Sequence, residues 1–155
     1  MKLAKQSGDG FQYHLSAEEA HCLRLLVGQF PLAAFSPATI SKTDSAAVER
    51  EKLLNESLAA RRKELKRKAG HLVSEGKFKN VEGGQLFHLD GEGREILLQV
   101  LNDIRVESWR LLGEPENLEI NILDLPEDKL SHYQFMHLAG YFEYHFLNLE
   151  EESAK

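Results

Sequence analysis

The twenty residues from Gly93 to Leu112 constrain this chain more than any other stretch. At helical periodicity, Leu97, Leu98, Val100, Leu101, Ile104, Trp109, Leu111 and Leu112 fall on one arc. Glu95, Gln99, Asp103, Glu107 and Arg110 fall on the opposite arc. That division predicts a long amphipathic helix with a broad face to bury, so the other segments must supply its cover. Arg105 interrupts the apolar arc, between Leu98, Leu101 and Trp109, with Asn102 at the margin. A guanidinium in that position needs a carboxylate or a path to water, because stranding a buried charge costs on the order of 3 kcal/mol.

A second helix is predicted from Leu125-Pro-Glu-Asp128 to about Asn148, with proline at an early helical position and acids in the first turn. It is apolar nearly all round: Leu130, Tyr133, Phe135, Met136, Leu138, Tyr141, Phe142, Tyr144, Phe146 and Leu147. Six of the chain's thirteen aromatic residues lie between Tyr133 and Phe146. A helix with two apolar sides needs cover on both. One side faces the core, and the other is expected to meet a second copy, giving a homodimer through the helix 127–148. Glu143, on the same helix, is the first candidate partner for Arg105, and Glu19 is the second.

Ahead of these segments, Phe11 to Leu15 alternates as a short strand, and Ser16-Ala-Glu-Glu19 has the spacing of a capping box. The helix it opens carries Ala20, Leu23, Leu26, Val27 and Phe30, and stops at Pro31; residues 31–43 read as a loop. From about Asp44 to Glu75 runs a long polar helix with a thin stripe of Val48, Leu54, Leu58, Leu65, Ala69 and Leu72. At 1.5 Å per residue it would be about 45 Å long, so it either bends, with Gly70 the candidate hinge, or projects from the core. Phe78 to Val81 and Gln85 to Leu89 read as strands around a glycine turn, and Leu118, Ile120 and Ile122 alternate as one more candidate strand. Tyr13-His-Leu-Ser-Ala-Glu18 echoes Phe87-His-Leu-Asp-Gly-Glu92 at an offset of 74 residues, which we read as chance recurrence of a common unit, with duplication the alternative. The fold class is α+β, mainly α. About four helices and a small antiparallel sheet form a single globular domain over residues 1–148, followed by an acidic tail at 149–155.

Seven histidines invite a metal site, but no pair of them on the last helix is three or four residues apart, and no HExxH or CxxC occurs. No metal and no cofactor are expected. His14 and His88 are expected to point away from the core. Cys22 and His21, adjacent on a helix, diverge and cannot act as a nucleophile and its base. Catalysis has no positive support, and no catalytic residue is assigned.

Arg61, Arg62, Lys63, Lys66, Arg67 and Lys68 form a basic run, the candidate surface for nucleic acid. Against it stand a formal charge of −6, a helix-end placement that complements the macrodipole, and the lack of interleaved aromatic residues. Nucleic acid is not expected as a partner. A single cysteine excludes an internal disulfide, and no segment approaches the roughly 18 apolar residues of a membrane span. These point to a cytoplasmic protein with no membrane partner.

Glu95-Ile-Leu-Leu, Leu101-Asn-Asp-Ile-Arg105, Pro126-Glu-Asp and Tyr133-x-x-Met-x-Leu-Ala, with the aromatic helix that follows, resemble a bacterial domain family of unknown function found chiefly in actinobacteria. The resemblance covers about the last half of the chain. The chain departs from the family pattern in its longer basic helix and in Glu143, which stands in place of a neutral amide. Members are often encoded near an adaptor of the Clp protease, so the resemblance implies a role around protein turnover or sulfur metabolism and no established activity. The expected function is therefore a non-enzymatic interaction or regulatory protein acting as an oligomer, with an unidentified protein partner. Two alternatives stand beside it. One is a small-anion-binding or enzymatic pocket built from Asn102, Arg105, Trp109 and Glu143. The other is nucleic-acid binding through the basic run.

Overall fold

Tyr13 and Phe87, equivalent positions in the two echoing segments, pair with one another across the centre of the sheet. This computed structural model describes residues 1–32, 45–117 and 119–148. Its elements are β1 (Lys2–Ser7), β2 (Gly10–Leu15), α1 (Ala17–Gly28), α2 (Ser45–Leu72), β3 (Phe78–Val81), β4 (Gly84–Leu89), α3 (Gly91–Leu111) and α4 (Glu127–Leu147). Short 3-10 turns lie at Glu75–Lys77 and Ile122–Asp124. Four helices and a four-stranded antiparallel sheet make the fold α+β and mainly α, as expected.

The sheet order is β1-β2-β4-β3. The described chain is thus two strand–strand–helix–helix units, with β2 and β4 side by side at the middle of the sheet. The 74-residue echo corresponds to this repeat, and the caps repeat with it. Ser16 accepts from the Glu19 N–H at 3.1 Å, and Asp90 accepts from the Gly93 N–H at 2.6 Å. Glu19 completes the expected capping box by accepting from the Ser16 N–H at 2.8 Å.

Alternation along β2 and β4 buries Phe11, Tyr13, Leu15, Phe87 and Leu89 on the helix-covered face. His14 and His88 lie on the other face, half-buried and exposed respectively. The turn between β3 and β4 needs its second glycine, because a Cβ on Gly84 would meet the Leu15 carbonyl oxygen at 2.1 Å.

Two strand assignments differ from expectation. β1 was not anticipated, because only Leu3 on it is buried and the strand is held mainly by its backbone pairing with β2. The Asp9-Gly10 step after Gly8, whose φ is +61°, was its available signal. Conversely, no strand forms at 119–122; Leu118 lies outside the described residues. There the Asn121 side chain accepts from the Leu123 N–H at 3.1 Å and starts a 3-10 turn, so local side-chain chemistry wins over alternation. Leu123 is left 91% exposed.

The long polar helix forms as α2, uninterrupted through Gly70. Its 28 residues span about 42 Å. Ala69 is its buried residue, with Leu65 and Leu72 packed on the core, while Val48, Leu53 and Leu54 are exposed. The first half therefore projects, and the second half packs against α1 and α3. Among the described residues no helix is long and apolar enough to cross a membrane. The loop expected at 31–43 lies, beyond Leu32, outside the described residues, as does the tail at 149–155.

α4 packs along α3 and also touches α1 and β1. α4 is joined to α1 by Tyr141, whose hydroxyl donates to Glu19 Oε1; the Met1 ammonium contacts the same oxygen. Burial pushes the Glu19 carboxyl up, but hydrogen bonds from the Met1 ammonium, the Tyr141 hydroxyl and the Ser16 N–H outweigh it and hold the group at about 2. A depressed carboxylate contributes stability that is present above its ordinary value of 4.5 and is lost as the pH falls through about 2. Thermal melts from pH 6 down to pH 2 should therefore show a loss of Tm beginning near pH 4.5. In Glu19→Gln this loss should be smaller, from a lower Tm at pH 6.

Candidate functional site

α3 and α4 run antiparallel, with Arg94 opposite Phe146, Arg105 opposite Gly140 and Glu143, and Trp109 opposite Met136 and His137. At one end the contact is tight. Arg94 Nε donates to the Phe146 carbonyl at 2.9 Å, the Tyr13 hydroxyl donates to the same oxygen at 3.4 Å, and the Arg94 guanidinium lies 4.7 Å from the Phe11 ring centroid. A cation at the last turn of α4 also complements the helix dipole. Burial pushes the Tyr13 hydroxyl up, and Arg94 partly opposes it. Arg94 is thus the arginine of α3 fixed at the tight end of this contact.

Arg105 lies further along α3, at the edge of the buried face rather than in its middle. That face is made of Leu97, Val100, Leu101, Ile104 and Ser108. The Arg105 side chain is 47% exposed, and its Nη2 donates to Asn102 Oδ1 at 2.9 Å. Its Nε is 3.2 Å from Glu143 Oε1, an ion pair. Glu143 was the first-choice partner, and it is 14% exposed. Burial pushes its carboxyl up, against the pull of Arg105. Glu19, the second choice, is engaged elsewhere.

Beside Arg105 the two helices part into an open cleft of about 470 Å³. Arg105, Val106 and Trp109 line it from α3, and Met136, His137, Gly140 and Tyr141 from α4. The Trp109 indole N–H donates to the Pro115 carbonyl at 3.1 Å, which fixes the ring on the wall. Of the four residues expected at a pocket, Arg105 and Trp109 line the cleft, while Asn102 and Glu143 hold Arg105 from outside it. The α4 lining was missed. For His137 and Tyr141 the signal was the four-residue spacing of Tyr133, His137, Tyr141 and His145, whose rings meet edge to face at 4.3 Å for the first pair and 4.4 Å for the last. His137 and Tyr141 also border a shallower hollow of about 460 Å³ with Tyr133, Gln134 and Leu138.

The basic run is only partly available. Arg67 Nη2 pairs with Glu64 at 2.6 Å. Arg61 and Arg62 line a groove with Gln99, Asn102 and Asp103 of α3. There burial pushes the Asp103 carboxyl up, opposed by Arg62 and by Arg61. Lys63 and Lys66 are exposed and Lys68 is half-buried. The run ends a turn before the helix does, beyond the reach of the dipole, so Asp103 and Glu64 rather than the macrodipole account for part of its charge.

Among the described residues no group of three or more His, Cys, Asp and Glu side chains is placed to hold a metal ion. Cys22 is half-buried against the core. The chain matches no family model, no curated protein and no solved structure.

Two outcomes follow from this geometry. In a double-mutant cycle, Arg105→Met and Glu143→Gln should couple by about 0.5–1 kcal/mol, since water screens the half-exposed Arg105. Additive losses in urea melts would show that the pair contributes nothing. In gel-shift assays at physiological salt, neither duplex nor single-stranded nucleic acid should be retarded. Tight binding abolished by Gln at Arg61, Arg62, Lys66 and Arg67 would reverse this assignment.

Proposed function

We propose that the protein is a non-enzymatic interaction or regulatory protein that acts in the bacterial cytoplasm as a homodimer, assembled through the outer face of α4. The observation that carries this reading is the uneven burial of α4. Met136, Ala139, Phe142 and Phe146 are buried, whereas Tyr141, Tyr144 and Leu147 are exposed, with Tyr144 at 64%. Among the described residues α2 packs chiefly on α1 and α3, so the long helix is engaged away from this face. Exposed apolar surface of this kind, on the last two turns of the helix, is what a self-complementary twofold interface uses. The resemblance of the last half of the chain to the actinobacterial domain family supports a connection to protein turnover.

Light scattering at low micromolar concentration tests the reading. The expected mass is twice the chain's 17.6 kDa, from an interface burying of order 1,500 Å² in total. Tyr144→Glu with Leu147→Asp places like charges on both sides of the contact. It should weaken the dimer by about 100-fold without changing the helical circular dichroism. A wild-type mass of one chain across the accessible concentration range would overturn the proposal.

A further inference from the structure

We propose that the cleft between α3 and α4 binds a small apolar carboxylate, with its hydrocarbon part against Trp109 and Met136 and its carboxylate on the Arg105 guanidinium. Three independent observations converge there. The first is size and lining: at about 470 Å³ the cleft lies within the range of small-molecule sites, and its walls are mainly apolar around a few polar groups.

The second is the state of Arg105. Asn102 and Glu143 hold it through Nη2 and Nε, and neither contact uses Nη1. Arg105 also lines the cleft, and its Nη1 is engaged by neither of these partners. A guanidinium edge binds a carboxylate through two parallel N–H···O bonds, which an alcohol or an amine cannot reproduce.

The third is Gly140. Glycine within a helix weakens it relative to alanine, so its presence in the middle of α4 asks for a reason. Packing does not supply one. A Cβ at Gly140 would meet only Arg105 Cδ, at 3.9 Å, an ordinary contact. What the missing side chain does is leave the floor of the cleft open. Larger residues there would fill the volume that the ligand's hydrocarbon part takes.

Trp109 is the only tryptophan in the chain and lines the cleft, so its fluorescence reports occupancy directly. The full chain is titrated with decanoate below its micellar concentration, and in parallel with decanol. Decanoate should give a saturable change in Trp109 emission, with decanol binding about tenfold more weakly or less. Arg105→Gln should reduce decanoate to the level of decanol and leave decanol unchanged. Gly140→Leu should block both, while Gly140→Ala, which fits the existing space, should keep the fold and retain decanoate binding. Equal affinity for decanoate and decanol, undiminished decanoate binding in Arg105→Gln, or no saturable change in the wild-type chain would each overturn the proposal. The titration reports at Trp109 and the dimer reports as mass, so the two outcomes are read separately although Tyr141 borders both surfaces.

Discussion

The structure depends on the way the last turn of α4 is keyed to the centre of the sheet. Phe146 meets the Tyr13 ring edge-on at 5.0 Å and lies 6.5 Å from the Phe87 ring, the two residues that pair across β2 and β4. Its carbonyl accepts from Arg94 and Tyr13. Edge-to-face aromatic contacts have a defined geometry, and buried donors aimed at one oxygen add a second directional constraint. Together they set the rotation of α4 about its own axis. Once that rotation is set, Met136, Ala139 and Phe142 must face inward and Tyr133, Tyr141 and Tyr144 must sit at the rim or outside.

The same constraint explains why the two arginines of α3 differ. Arg94 stands where α4 is held close, and its charge is spent on a helix end and an aromatic face. Eleven residues later, at Arg105, the opposing helix presents Gly140, and the facing surface falls back into a cleft. There the guanidinium reaches water, and its partner Glu143 retains a carboxyl that burial pushes up. One helix face thus carries a structural arginine at its closed end and an accessible one at its open end.

Legibility in the sequence followed the range of the interactions concerned. α1 and α3, marked by a cap and an apolar stripe, and α4, marked by Pro126 and the acids Glu127 and Asp128 at its start, were readable because each signal lies within one or two turns. The capping box at Ser16 and Glu19 is entirely local, and it formed as read. β1 was not readable, because a strand with one buried side chain is defined by its neighbour's backbone. Residues 119–122 misled in the opposite direction: their alternation has no strand beside it, and Asn121 captured the backbone first. At the candidate site the α3 half was legible from the break in its apolar arc. The α4 half was not, because a helix apolar on all sides does not reveal which residues will line a gap.

The sequence by itself determined where helices start, which positions on α3 are apolar, and that α4 has more apolar surface than one contact can cover. It also contained the 74-residue echo, whose two members become partners across the sheet. Only the tertiary structure decided that Arg105 sits at a margin, that Glu143 and not Glu19 faces it, and that Gly140 opposes it across a cleft. The physical reason is the same in each case. Periodicity orders side chains around their own helix axis. The rotation and separation of two helices are set by long-range contacts such as Phe146 against Tyr13 and Phe87, and those contacts have no signature in either segment alone.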